Sequence, residues 1–334
     1  MLALTYKDSL LYELSSKKVL AYYLKITDTH FFKQDFVATL VHPYIENKGG
    51  KKRLIEVPDD SLKSIQTRIK KILVKLEYPE YIFSGVKGRS YVDNARLHVG
   101  HNYLYKIDLT AFFPSIAREK VFNFYREKLR VSPDIAEVLT NFTSINLDKA
   151  CIVSPKQVDD FLAMKGIKTR NHLISGSPAS QLLSYLTNQD MFERLHCLSS
   201  SNGITMSVYV DDIMFSSTNH ISTHFKDMVE SIINSQHYRL SRKKAKAHTR
   251  YYPKKVTGTI INKQGELTIS NSIRLKIINK CHQLKANPKD TQCRRELRGL
   301  VEAARQVIPN AYPSIYDLAY DPEYKLPRIN RKRK

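Results

Sequence analysis

The stretch of sequence that decides the fold of this chain is Ser207-Val208-Tyr209-Val210-Asp211-Asp212-Ile213-Met214-Phe215-Ser216. β-Branched and aromatic residues flank the acidic pair, so the stretch predicts two short strands joined by a tight turn. Two adjacent carboxylates at a hairpin tip repel each other and require a cation or water. A hard dication such as Mg²⁺ takes oxygen ligands and tolerates such crowding. The dipeptide alone favours a solvated Asp-Asp turn, so the rest of the chain must decide between the two interpretations.

A second acidic strand end lies about a hundred residues earlier, in Leu104-Tyr105-Lys106-Ile107-Asp108-Leu109-Thr110-Ala111-Phe112-Phe113-Pro114-Ser115-Ile116. This segment predicts a short strand that ends at Asp108, then an aromatic turn, then a helix that begins near Ser115. A single aspartate at a strand end is commonly only a strand terminator. Together with the acidic pair, however, it would supply three carboxylates from two neighbouring strands. Such a trio could hold two Mg²⁺ ions roughly 3.5–4 Å apart, which stabilise the attacking and leaving oxygens of a phosphoryl displacement.

The order and spacing of these two elements resemble the palm signature of the reverse transcriptase family. The segment between them agrees, because Ser175-Gly176-Ser177-Pro178-Ala179-Ser180-Gln181-Leu182-Leu183-Ser184 resembles the family's Gly-x-Pro-x-Ser-x-x-Leu-Ser element. Small residues in that loop let a templating base and an incoming nucleotide approach the backbone closely. An ordinary loop before a helix is the alternative interpretation, and the order of all three elements argues against it.

Further matches narrow the resemblance to bacterial retron reverse transcriptases. Lys51-Lys52-Arg53-Leu54-Ile55-Glu56-Val57-Pro58 resembles the fingers segment whose arginine meets the nucleotide triphosphate. Asn94-Ala95-Arg96-Leu97-His98 resembles the Asn-Ala-x-x-His element of retron enzymes, and Val256-Thr257-Gly258 resembles their Val-Thr-Gly triplet. Each short string is weak alone, but they lie on either side of the palm elements. The resemblance is collinear over roughly residues 20–270.

The resemblance implies a mixed α/β (α+β) chain with the right-hand polymerase fold of fingers, palm and thumb, whose antiparallel palm sheet carries the acidic hairpin. The expected regions are an N-terminal helical or fingers extension (1–50), fingers (51–103), a palm with inserted fingers-type helices (104–262) and a mainly helical thumb with a basic tail (263–334). Apolar residues at helical spacing predict a core-facing helix near Ser61–Leu76. A second helix is expected at Pro178–Leu198.

By the same resemblance, Asp108 and Asp211 bind both Mg²⁺ ions and Asp212 completes the site. Arg53 would hold the triphosphate, since a guanidinium is always charged and binds phosphate through two N–H groups. Phe113 falls where the family places its bulky sugar gate, and its ring would exclude a ribose 2′-OH by volume. Core packing beside the preceding phenylalanine is the alternative role for Phe113.

The remaining expected contacts involve nucleotide, primer or RNA. Gly176 belongs to the nucleotide-binding loop, and Tyr209 would lie near the primer end. Lys244 resembles the lysine that approaches the triphosphate, although Lys243 is an equally plausible register. Primer–template or RNA contacts are expected at Asn94, His98, Val256, Thr257, Gly258, Arg242, Lys243 and Lys246.

Four departures from the family pattern bear on nucleotide selection, fidelity and processivity. Ser175 stands where glutamine is frequent, Gln181 where proline is common, and Tyr185 where asparagine is common. Val210 replaces the alanine of the more frequent Tyr-Ala-Asp-Asp. None of these departures removes an expected metal ligand.

Composition agrees with a nucleic-acid enzyme. The chain of 334 residues has 54 Lys+Arg against 32 Asp+Glu, and a formal net charge of +22 suits a polyanionic partner. The segment 239–255 concentrates basic residues and tyrosines without an acid, so it could track phosphates and stack on bases. A solvated basic face is the alternative for any one of these side chains. The basic tail Arg328–Lys334 could touch RNA or be disordered.

The remaining composition signals concern the compartment. The four cysteines show no Cys-x-x-Cys pairing, so neither zinc nor a disulfide framework is expected. No run of 18 apolar residues exists, and the start lacks a basic-then-apolar secretory signal. The prediction is a protein of the bacterial cytoplasm with no membrane partner.

The functional hypothesis is an RNA-directed DNA polymerase of a retron. The resemblance implies that it copies part of a dedicated structured noncoding RNA into branched, RNA-linked single-stranded DNA (msDNA), uses deoxynucleoside triphosphates, and works with a separate effector protein in antiphage defence. A group II intron-like or abortive-infection reverse transcriptase is one alternative. A reverse-transcriptase-like scaffold that binds RNA or an effector without synthesis is another, but such a scaffold has no need to keep three crowded carboxylates.

Overall fold

A computed structural model describes residues 4–241, 246–249, 251–321 and 323. The chain forms two compact units, each assembled from separate stretches of sequence. Unit 1 contains Met1–Arg89, Tyr105–Phe215 and Ile221–Ala247, and unit 2 contains Ser90–Leu104, Ser216–His220 and His248–Lys334. The four-region division expected from the sequence stays a prediction.

Helices dominate both units in number. The α-helices are α1 (Lys17–Leu24), α2 (Gln34–Thr39), α3 (Asp60–Leu73), α4 (Tyr91–Arg96), α5 (Phe112–Ser115), α6 (Arg118–Asn123), α7 (Pro133–Thr143), α8 (Pro155–Lys165), α9 (Ser180–Leu186), α10 (Gln189–Ser201), α11 (Thr223–Ser235), α12 (Asn271–Ala286), α13 (Thr291–Val307) and α14 (Pro313–Tyr320). Short 3-10 turns occupy Tyr6–Asp8 and Thr29–Phe32, and a π-helical turn occupies Phe124–Lys128.

In the described parts of the chain, the strands form four small sheets. They are β1 (Val41–Lys48), β2 (Lys51–Pro58), β3 (Tyr103–Asp108), β4 (Ser144–Asn146), β5 (Asn171–Leu173), β6 (Thr205–Tyr209), β7 (Asp212–Ser217), β8 (Lys246–His248), β9 (Lys254–Val256), β10 (Thr259–Ile261) and β11 (Leu267–Ile269). The strand orders are β6-β7-β3-β8, β11-β10-β9, β1-β2 and β4-β5. The last three sheets are antiparallel. The mixture of helices and antiparallel sheets confirms the predicted mixed fold class.

Helix α3 shows how the sequence specifies an element of unit 1. Asp59 caps it, because its side chain accepts a hydrogen bond from the Leu62 N–H at 3.1 Å. The predicted apolar face is buried along the helix, as expected for core positions at helical spacing. The helix ends at Leu73, three residues before the predicted end. Further along unit 1, the helix expected at Pro178–Leu198 is instead two helices, α9 and α10.

The break between α9 and α10 has a visible cause in Asn188. Its side-chain N–H donates to the Ser184 carbonyl at 2.9 Å, and its Oδ1 accepts from the Tyr238 hydroxyl at 2.6 Å. An asparagine that hydrogen-bonds nearby backbone offers the chain an alternative to the helical ladder. The amide thus interrupts the helix while anchoring Tyr238 of the following segment.

Unit 2 is mainly helical and has its own apolar core. Helices α12, α13 and α14 contribute most of it, joined by β11 and by Val92 of α4. On α12, Ile277 and Leu284 are buried, whereas Ile278 is exposed. None of the helices in the described part of the chain has the length and apolar character that a bilayer crossing requires.

Candidate active site

The acidic hairpin forms as the sequence predicts. Strands β6 and β7 are joined by the two residues Val210 and Asp211, and most side chains of both strands are buried. Val210 has φ 60°, which is an unusual left-handed conformation for a β-branched residue. Strain of this kind costs on the order of 1–3 kcal/mol and is concentrated at functional sites. The turn therefore places Asp211 at the hairpin tip by holding Val210 in a backbone conformation that valine disfavours.

Asp108 and Asp211 are brought together by neighbouring strands. Strand β3, which ends at Asp108, lies next to β7 in the sheet. The Leu109 N–H, directly after Asp108, donates to the Asp211 carbonyl at 3.2 Å, so the backbones of the two aspartates lie close together. On the other side, the Ser241 N–H donates to the Asp108 carbonyl at 2.8 Å. Asp108 is only 5 % exposed, so its carboxyl group lies in a buried setting.

Asp212 is held by an ion pair. The Lys106 ammonium donates to its Oδ2 at 2.6 Å, and both side chains are 22 % exposed. Because side chains alternate along a strand, Lys106 and Asp108 share one face of β3. Asp212 meets Lys106, so it also reaches that face.

The donor chemistry of this corner suits a hard dication, which prefers carboxylate oxygens. Among the residues that the structure describes, however, no three His, Cys, Asp or Glu side chains lie close enough together to form a metal site. Asp108 and Asp211 are neighbours, whereas Asp212 is neutralised by Lys106. The assignment of all three as ligands of two Mg²⁺ ions stays a prediction.

Phe113 stands in a different environment from Phe112. Helix α5 begins after Ala111, which has a left-handed φ of 45°. Phe112 is 3 % exposed and packs edge-on against Tyr238 and Phe192, with ring centroids 5.4 and 6.4 Å away. Phe113 is only half-buried. The gate role of Phe113 stays a prediction.

Arg53 and Gly176 lie on two segments of unit 1 that contact each other. Arg53 is exposed on β2, opposite Glu46 of β1. Gly176 is also exposed, and a Cβ atom on it would come within 2.1 Å of the Glu56 carbonyl oxygen. Glycine is therefore required here by the close approach of β2, which is a reason the sequence did not reveal.

Sequence reasoning missed Glu56 and His172, although both are buried and paired beneath the Gly176 loop. A signal did exist, because Glu56 alternates with Leu54 and Pro58 on the inward face of β2. A carboxylate at an inward position of a strand indicates a buried partner.

The two retron-like elements meet in unit 2. The Thr257-Gly258 pair forms the turn between β9 and β10, and both residues have positive φ, at 40° and 96°. This conformation is typical of a type I′ hairpin turn. The Asn94 side-chain N–H donates to Thr257 Oγ1 at 3.3 Å, and that hydroxyl donates to the Tyr91 carbonyl at 2.9 Å. Asn94 and Val256 are buried, so they support the turn from beneath.

His98 is also buried in unit 2. Its Nδ1 lies 2.6 Å from Ser216 Oγ, and Nδ1 of His101 lies at the same distance from that hydroxyl. Burial, assisted by the nearby His101, lowers the pKa of His98 to about 3. A neutral, buried imidazole is a poor direct ligand for RNA phosphate. Contacts of His98 and Asn94 with RNA stay a prediction, and burial favours an indirect role.

Four of the expected basic contacts, and the basic tail, cannot be placed. Arg242, Lys243 and Lys244 lie outside the described residues, as do the side chain of Lys246 and the basic tail. Tyr209 is half-buried at the end of β6, directly before the acidic turn.

Comparison with known proteins agrees with this geometry. The family model described as reverse transcriptase (RNA-dependent DNA polymerase) matches residues 45–286, which include the acidic hairpin, Asp108 and the Gly176 loop. The chain belongs to the reverse transcriptase family. The matched range also includes Arg53 and both retron-like elements.

The similar reverse transcriptases include several from retrons. The chain is 29 % identical to the retron Se72 reverse transcriptase of Salmonella heidelberg (strain 579083-10) over 60 % of its own length and 47 % of the relative's. It is 29 % identical to the retron Ec86 reverse transcriptase of Escherichia coli over 66 % of its length and 62 % of the relative's. With the retron Ec83 reverse transcriptase of E. coli the identity is 25 %, over 77 % and 79 %. The chain thus spans about half to two thirds of the first two relatives.

Proposed function

We propose that this chain is the RNA-directed DNA polymerase of a bacterial retron. The observation that carries the proposal is the backbone contact that places Asp108 beside Asp211, within a chain of the reverse transcriptase family. The names of its relatives support the retron type. The chain would copy part of a structured noncoding RNA into branched, RNA-linked DNA.

Asp108 and Asp211 would hold Mg²⁺. Asp212 would become a third ligand when its ion pair with Lys106 is broken. Bound there, Mg²⁺ would lower the pKa of the attacking hydroxyl and would balance the negative charge on the leaving pyrophosphate. Lys106 limits the repulsion between Asp212 and its neighbours, since it already balances one negative charge.

The other residues bind and orient the nucleotide. Arg53 is exposed on β2 and would bind the triphosphate of a deoxynucleoside triphosphate. Phe113 would exclude a ribose 2′-OH, and Gly176 leaves room for the base pair above its loop. The backbone at Val210 and Asp211 would present the carboxylate to the primer end, next to Tyr209.

The biological setting belongs to the same proposal. Priming would start from a 2′-OH within the RNA, the protein would work in the bacterial cytoplasm, and a separate effector protein would complete an antiphage system. The net charge of +22 supports a polyanionic partner. Unpaired bases and RNA shape would provide selectivity, because A-form helices expose little sequence information.

The test of this proposal is Asp211→Asn in the full chain. We expect incorporation of deoxynucleotides on the copurified RNA to fall by at least about a thousandfold, because a neutral amide is a poor metal ligand, while RNA binding stays within about twofold. Asp160→Asn, an exposed aspartate of α8, is the matched control and should keep full incorporation.

Two outcomes would contradict the proposal. Undiminished incorporation by Asp211→Asn would reject the site, and RNA binding without incorporation by the unaltered chain would favour the scaffold. Product analysis separates the remaining alternatives, because branched RNA-linked DNA is expected from a retron enzyme and unbranched DNA from a group II intron-like or abortive-infection enzyme.

A further inference from the structure

Glu56 is a carboxylate buried completely inside unit 1. It lies on β2, three residues after Arg53, and both its oxygens have hydrogen-bond partners. Oε2 accepts from the Ser175 N–H at 2.8 Å, and Oε1 lies 2.5 Å from Nε2 of His172. Because an isolated buried carboxylate is strongly unfavourable, these partners are what make its position tolerable.

His172 is equally buried and lies on β5, just before the Gly176 loop. Its Nδ1 has no hydrogen-bond partner among the residues that the structure describes. A buried N–H without an acceptor costs more than a buried lone pair without a donor. The ring therefore fits as the tautomer that donates from Nε2 to Glu56.

Ser175 completes a reciprocal connection between the strand and the loop. Its Oγ accepts from the Glu56 N–H at 3.2 Å and lies 3.4 Å from the Leu54 carbonyl, to which it donates. Its own N–H donates to the Glu56 carboxylate. Hydrogen bonds therefore run in both directions between segment 53–58 on β2 and segment 173–177, a contact that we call the joint. The Glu56 carbonyl also lies against Gly176.

This geometry relates two parts of the nucleotide site. Arg53 is on the same strand as Glu56, about 10 Å along it at 3.3 Å per residue. Gly176 is the residue directly after Ser175. Apolar side chains of similar volume would hold the two segments at least as firmly. Directional hydrogen bonds to a buried charge instead fix their relative register.

Building on the proposed function, we infer that Glu56, His172 and Ser175 are positioning residues which fix the Gly176 loop against the strand carrying Arg53. They thereby set the distance between the triphosphate contact and the floor of the nucleotide site. This also gives a role to Ser175, where the family more often has glutamine, because a short hydroxyl can reach the β2 backbone.

The first test is steady-state kinetics of Glu56→Gln. The amide oxygen can still accept from the Ser175 N–H, but its NH₂ group then faces the His172 Nε2–H. We expect the KM for deoxynucleoside triphosphate to rise about tenfold while kcat changes by less than about threefold, since ground-state placement is altered and the metal ligands are not. Ser175→Ala removes only the hydrogen bonds of the hydroxyl and should raise KM by roughly threefold.

Ser199→Ala is the matched control, because Ser199 is also buried and donates to the Leu195 carbonyl within α10. It should leave KM unchanged. A fall in kcat alone in Glu56→Gln indicates a smaller folded fraction and overturns the inference, as does an unchanged KM. If Glu56→Gln does not fold, Ser175→Ala decides in the same way.

The second test does not depend on catalysis. In Glu56→Gln, hydrogen exchange should become faster in both segments of the joint, 53–58 and 173–177, and stay unchanged in α10. If the unaltered chain incorporates no nucleotide, the proposed function fails. Hydrogen exchange then tests by itself whether Glu56 couples the two segments. Faster exchange in only one of the two segments would show that they are not coupled and would overturn the inference.

Discussion

At the scale of single residues, Phe112 and Phe113 show how neighbouring identical side chains can differ in burial. Phe112 is packed against Tyr238 and Phe192, whereas Phe113 is only half-buried. The sequence could not separate them, because the short helix α5 starts from the left-handed Ala111 and periodicity over four residues is too brief to predict a face. Only the packing of distant residues assigns Phe112 to the core.

Phe113→Ala is expected to relax discrimination against ribonucleotides by at least about tenfold, because a smaller side chain no longer excludes the 2′-OH by volume. The measurement is the ratio of kcat/KM for a deoxynucleotide to that for its ribonucleotide. Phe112→Leu is the control, since it alters packing and should lower stability without changing the ratio. Unchanged selectivity in Phe113→Ala would remove Phe113 from the gate role.

Val210 shows a second limit of prediction at this scale. The pattern of flanking residues predicts the tight turn, and the structure confirms it. The same pattern gives no hint that the valine adopts φ 60°, since β-branched residues avoid that region. This conformation belongs to the two-residue connection between β6 and β7, and residue preferences alone do not reveal it.

At the scale of elements, local patterns predicted what each segment is but not what it meets. Helix α3 follows from the helical spacing of its apolar residues, and the structure confirms it. The division between α9 and α10 depends on Asn188 and its distant partner Tyr238. The joint at Glu56 and the meeting of Asn94 with Thr257 depend likewise on pairs separated by more than a hundred residues.

The histidine pair of unit 2 leads to a prediction about acid stability. The ordinary pKa of 6.5 applies to His98 in the unfolded chain, while burial lowers it to about 3 in the folded chain. At a pH between these two pKa values, His98 is protonated in the unfolded chain and neutral in the folded chain. The free energy of unfolding should therefore fall as pH falls from about 6 to 4, by roughly 1.4 kcal/mol per pH unit from this residue.

His98→Asn removes this titration, so the unfolding free energy of the variant should depend less steeply on pH in that window. Urea unfolding at pH 6, 5 and 4 measures it. His282→Asn, at an exposed histidine of α12, is the control and should keep the original slope. Equal slopes for His98→Asn and the unaltered chain would show that His98 is protonated in the folded state well above pH 4.

At the scale of the whole molecule, charge is the property that the sequence predicts most directly. An excess of 22 positive charges predicts a negatively charged partner, but it does not identify the surface that contacts nucleic acid. The expected basic contacts at 242–246 cannot be judged from the described side chains. Helix α12 carries exposed lysines at Lys276 and Lys285, within the region predicted from the sequence to be the thumb.

If α12 contacts the RNA backbone, its lysines release counterions on binding, whereas lysines elsewhere contribute only to net charge. The logarithm of the RNA-binding constant should fall linearly with the logarithm of salt concentration, and Lys276→Gln with Lys285→Gln should reduce that slope by about one for each phosphate that is no longer neutralised. Lys17→Gln with Lys18→Gln on α1 removes the same charge and serves as the control. A smaller slope in the α12 pair alone assigns RNA binding to that helix, while equal effects of both pairs would mean that net charge alone governs binding.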